Sequence, residues 1–103
     1  MVASMSKALF VDPRRLRLPG GRRFGADPVK LQRQIAKFGN SIETIPALLV
    51  TCGLNGEMLL IDGVTRATRV AKLLPGSLVL VEVVDVFPDW DLSRFPTVGE
   101  RLP

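Results

Sequence analysis

At 103 residues, with a hydrophobic fraction of 47% and a net charge of +4, the chain reads as one packed domain and excludes an intrinsically disordered segment. No apolar run approaches the roughly 18 residues needed to cross a bilayer, and the N-terminal MVASMSKALFVDPRR has too short an apolar segment for a secretory signal. Cys52 has no partner for an internal disulfide, which points to a reducing cytoplasm.

The charge is unevenly spread. Residues 1–37 carry nine basic against two acidic side chains, a balance of +7, and the remainder carries five against eight, a balance of −3. A basic N-terminal third suits an anionic partner, nucleotide or nucleic acid, and equally suits solvated arginines on a surface loop.

In chain order, Ala8–Val11 reads as a first strand, ended by Asp12-Pro13. The arginine- and glycine-rich stretch from Arg14 to Ala26 reads as a loop that brings its backbone close to a ligand, with Arg22 and Arg23 following the Pro19-Gly20-Gly21 turn. Asp27-Pro28 is a cap followed by a first-turn proline, so a helix starts there. Its Leu31, Ile35 and Phe38 share an apolar face, Lys30, Arg33 and Lys37 a solvated one, and Gly39 ends it.

Residues 40–45 connect to a strand over Ala47–Thr51, introduced by Pro46. Asn55-Gly56 predicts a hairpin turn pairing that strand antiparallel with Met58–Ile61. Cys52, in a chain without histidine, has no imidazole to serve as its base and reads as a small, partly buried hydrophobe.

Asp62-Gly63 breaks the apolar run, and a helix follows with Val64, Ala67, Val70, Ala71 and Leu74 on one side. Thr65, Arg66, Thr68, Arg69 and Lys72 fall on the other, expected to be solvent-facing. A strand passing into a helix through Asp-Gly leaves the helix's first N–H groups pointing outward, where they suit an anion. Arg66 and Arg69 add planar donor forks matched to phosphate, and Asp62 is either the helix cap or a weak acid–base group. The alternative is that these arginines pair with Glu57, Glu82 or Asp85.

Leu78–Val86 reads as a final strand, with Glu82 and Asp85 on opposite faces suggesting nearness to an edge or cleft. Residues 87–103 form an aromatic and proline-rich tail, packed on the domain or used to dock a partner.

The order of these elements, and above all Leu60-Ile61-Asp62-Gly63-Val64-Thr65-Arg66-Ala67-Thr68-Arg69-Val70-Ala71, resembles the ParB/sulfiredoxin superfamily and its hydrophobic-D-G-x-x-R-x-x-A-A box. Pro19–Phe24, Gln34–Gly39 and Pro46–Val50 add weaker matches, so the resemblance covers about residues 8–86 and sets off a domain 1–86 from the tail. It implies an α+β fold, a small mixed sheet of about four strands with two main helices, whose cleft holds nucleotide phosphates. In that reading Gly63, Thr65, Arg66, Arg69, Arg22 and Arg23 bind the phosphates, and the ligand is a nucleotide such as CTP or ATP with magnesium.

The sulfiredoxin cysteine and the partition proteins' acidic residue are both replaced at Val64, which argues against their chemistries. A stand-alone nucleotide-binding module, a switch or adaptor, is therefore the leading expectation. Its partners would be a nucleotide and nucleic acid or a DNA-associated protein, with a homodimer compatible and no protein-held metal or membrane contact expected. The alternatives are a phosphotransferase or nuclease working in the same cleft, and direct nucleic-acid binding by the basic third.

Overall fold

Strand-forming and helix-forming segments alternate in this chain as propensity and capping dictate. In the computed structural model, which describes residues 7–41 and 46–103, they become β1 (Lys7–Val11), α1 (Pro28–Phe38), β2 (Leu48–Cys52), β3 (Met58–Asp62), α2 (Val64–Leu73) and β4 (Val79–Val86). The connection expected over 40–45 lies mostly outside the described residues. The fold is α+β: one four-stranded mixed sheet in the order β1-β4-β2-β3, with two helices. The β1–β4 and β2–β3 pairs are antiparallel, and the central β2–β4 pair is parallel.

The predicted hairpin is present. Asn55 takes φ 61° and Gly56 φ 76°, the left-handed pair that a tight turn between right-twisted strands requires. Of the two readings of Glu82 and Asp85, nearness to an edge or to a cleft, the edge does not hold: β4 lies at the centre between β1 and β2. The two carboxylates are accommodated because Glu82 falls on the less covered face and a bulge pairs Thr51 with Asp85 directly after Val50 with Val83.

The core forms where Leu48, Val50, Leu60, Val79, Val81 and Val83 of the sheet meet Val64, Ala67, Val70 and Ala71 of α2. Burying each of these valines and leucines contributes about 1.5–3 kcal/mol before entropy is subtracted. The predicted apolar stripe of α2 is thus the buried one, with Leu74 partly covered.

The stretch from Arg14 to Ala26 is not the open loop expected. Leu16 and Leu18 are buried in the core, and Arg17 sits beside β3, its N–H donating to Met58 O at 2.8 Å and its O accepting from Leu60 N at 2.9 Å. Residues 96–98 add a further rung: Leu18 N donates to Pro96 O and Val98 N to Leu16 O. The tail is therefore packed on the domain, burying Leu92 and Val98. Thr97 and Glu100 cap each other reciprocally, Glu100 Oε1 accepting from Thr97 N at 2.8 Å and Thr97 Oγ1 from Glu100 N at 3.2 Å. The Arg17 side chain ties the parts together, with Nε on Glu57 Oε1 at 3.0 Å and Nη1 on Phe95 O at 2.8 Å.

Asp27 caps α1 as read from sequence, its Oδ1 accepting from Val29 N at 2.8 Å and Lys30 N at 3.2 Å. The Lys30 and Val29 amides hold its carboxyl below the ordinary 3.8. A carboxylate with a depressed folded pKa contributes stability that is complete above its unfolded value and lost as pH falls through the folded one. Thermal melts should therefore show wild type losing stability relative to Asp27→Asn, which keeps the acceptor but not the charge, only below that ordinary value.

No helix among the described residues is long and apolar enough to cross a membrane.

Candidate anion-binding cleft

The turn from β3 into α2 needs Gly63, because its φ of 107° is a left-handed conformation and a Cβ there would collide with Leu48 Cδ2. Gly63, not Asp62, is the N-cap residue, and no side chain caps the helix. The first amides of α2 are thereby left without a side-chain acceptor, at the end of the helix dipole that carries partial positive charge.

Asp62 instead accepts from Arg66 Nη2 at 3.0 Å, an i,i+4 pair with side chains 66% and 19% exposed. This differs from both expectations: Asp62 is no cap, and Arg66 pairs with none of Glu57, Glu82 or Asp85. At this exposure the pair is worth about 0–1 kcal/mol. It holds the guanidinium at the mouth of the turn while Nε and Nη1 keep their donors for other partners.

A cavity of about 250 Å³ opens at this helix end, lined by Pro19, Arg22, Lys30, Gln34, Ile61, Asp62, Gly63, Val64, Thr65 and Arg66. A second, of about 440 Å³, shares Lys30, Gln34, Thr65 and Arg66 with it and extends to Arg33, Lys37, Phe38 and Pro46. Four of the residues predicted to bind phosphate, Arg22, Gly63, Thr65 and Arg66, are brought together. Among the described residues the combined lining carries five cations, Arg22, Lys30, Arg33, Lys37 and Arg66, against the carboxylate of Asp62.

Two predicted residues are not in the cleft. Arg23 is exposed and lies over the Phe24 ring at 5.1 Å, its carbonyl accepting from Arg101 Nε at 2.9 Å. Arg69, placed by helical periodicity on the solvent side, is fully buried, as is its neighbour Thr68, whose hydroxyl donates back to Val64 O at 2.8 Å. The reason is that α1 packs against α2, so this part of the polar stripe is covered while Lys72 stays exposed and Arg66 lines the cleft.

Arg69 Nη1 donates to Gly39 O at 2.6 Å, and its Cζ lies 5.4 Å from the centroid of the Phe38 ring. Nε and Nη2 are buried without a partner. Burial pushes the guanidinium's pKa down, because it disfavours the cation. The carbonyl end of α1 and the Phe38 face offset at most about 2 kcal/mol each of a desolvation cost of several kcal/mol.

The cleft residues that sequence reading missed are those of α1. Lys30, Arg33 and Lys37, with Gln34 between them, repeat at three- and four-residue spacing and were assigned to a solvated face. They are exposed, but the docking of α1 turns that face into one wall of the cleft. The helical stripe was visible; what it faced was not.

Compared with known structures, the fold matches that of protein Atu1540 from Agrobacterium tumefaciens with a TM-score of 0.68 at 14% sequence identity. The likeness is one of fold. It covers 84% of this chain and 43% of that one, so this chain spans less than half of that protein's length. No protein-family model matches the sequence, and no curated protein does.

Proposed function

We propose that this domain binds a phosphate-bearing ligand, a nucleotide, in the cleft between α1 and the start of α2. The observation that carries the reading is convergence: the start of α2, which no side chain caps, and the basic residues Arg22, Lys30 and Arg66 all line one small cavity. Each group alone is ordinary, but together they present charge-assisted donors to the same volume. The adjoining 440 Å³ cavity, with Phe38 and Pro46 in its wall, offers apolar surface for the non-ionic part of such a ligand. The resemblance of the Asp62–Arg69 box to the ParB/sulfiredoxin superfamily supports the same ligand class, and a cytoplasmic setting fits it.

Calorimetric titration with CTP, ATP and GTP, each with magnesium, tests the reading; absence of heat with all three in wild type overturns it. Removing Arg66 takes away charged hydrogen bonds worth about 1.5–3 kcal/mol, so Arg66→Ala should weaken binding about 10- to 100-fold. Its melting temperature should move little, since only an exposed ion pair is lost. Asp62→Asn removes a carboxylate from the lining and should tighten binding.

Direct nucleic-acid binding is the second reading that the five cations favour. It requires affinity for duplex to fall with a log–log salt slope of about −0.9 per phosphate contacted, and a flat response excludes it.

A further inference from the structure

Among the described residues, Arg69 is the largest fully buried side chain, and no carboxylate pairs with it. Its one hydrogen bond, to Gly39 O, uses Nη1. The two nitrogens left over, Nε and Nη2, are not an arbitrary pair. They form the side-on edge of the guanidinium, the edge whose two parallel N–H bonds match the two oxygens of a carboxylate or phosphate. A fork of this kind, buried without a hydrogen-bond partner, carries an uncompensated charge in the core. Gln34 Oε1 is also buried without a partner, on the α1 helix that supplies Phe38. Phe38 lies against the guanidinium and lines the 440 Å³ cavity as well, so the guanidinium packs against a residue of the cavity wall.

We infer that Arg69 is a ligand-binding residue: its Nε and Nη2 take both oxygens of a small oxyanion, a carboxylate or a phosphate, that enters between α1 and α2 past Phe38. The site stands apart from the Gly63 turn, and either can fail without the other. Occupation neutralises the buried charge, so the anion-bound form is the more stable one.

The test follows the Arg69 Nε–Hε resonance in ¹⁵N–¹H spectra of the wild-type protein, assigned by its loss in Arg69→Lys. Chloride is replaced at constant ionic strength by inorganic phosphate in one series and by acetate in another. A saturable downfield movement with either anion supports the site, and the series in which it occurs names the oxyanion. The movement should persist in Arg66→Ala, which separates this site from the nucleotide cleft. No movement with either anion overturns the proposal. In thermal melts, Arg69→Met should exceed wild type in chloride and lose the phosphate-dependent rise in melting temperature. A folded Arg69→Met that melts lower than wild type in chloride, or keeps that rise, counts against the site; if the variant does not fold, the wild-type spectra decide.

Discussion

Replacing Gly63 by alanine should destabilise the domain by about 2–4 kcal/mol and lower its melting temperature by about 10–20 °C. Two costs add. At φ 107° a side chain sits in the left-handed region, which costs an L-residue about 1–2 kcal/mol. The new Cβ also meets Leu48 Cδ2, and Leu48 is fully buried beneath it, so neither atom can yield without displacing the core. Pairing the change with Leu48→Ala separates the costs. If the collision is real, the double variant loses less than the sum of the singles, with a coupling of about 1 kcal/mol or more. Gly20→Ala is the control: nothing lies within 4 Å of its Cβ position, and its stability should stay within about 0.5 kcal/mol of wild type. A Gly63→Ala protein melting with wild type would mean that the turn does not hold the geometry on which the cleft depends.

Leu18→Ala should cost about 2–5 kcal/mol, an effect that a ligand-contacting loop would not produce. Leu18 has no exposed surface, and its N–H joins residues 16–18 to residues 96–98 through Pro96 O. Leu18 belongs to the same core cluster as Leu16, Val98 and the buried residues of α2, and β3 and the tail hold its flanking backbone in place. The comparison is Phe24→Ala, six residues on in the same stretch. Phe24 is 81% exposed, and its loss should register within about 0.5 kcal/mol. Urea unfolding of the three proteins checks both values. Equal midpoints for Leu18→Ala and wild type would restore the loop to the surface role that its arginines and glycines suggested.

Several features were legible in the chain itself because their causes are local. A carboxylate before a proline caps α1 through amides two and three residues away. Asn55-Gly56 supplies consecutive left-handed residues for the hairpin. The i, i+3, i+4 spacing of Val64, Ala67, Val70 and Ala71 put the right face of α2 in the core. The Asp-Gly break set the end of β3 and the need for glycine at position 63. Part of the cleft followed from the same local logic, since Gly63, Thr65 and Arg66 lie together at one helix end.

What local reasoning misjudged were the polar residues whose surroundings come from distant chain. Arg69 and Arg66 occupy equivalent positions one turn apart, yet one is sealed under Phe38 and Gly39 and the other lines an open cavity. The Arg14–Ala26 stretch has a loop's composition, but its leucines alternate with Arg17 and were drawn into the sheet by β3 and residues 96–98.

Sequence alone thus determined the main elements, the cap of α1 and the apolar faces, because hydrogen bonds and periodicity within about four residues decide those. Only the tertiary structure decided which cations share a volume and which is buried. A charge's environment is set by whatever packs against it, and here the α1 helix meeting α2 came from some thirty residues away.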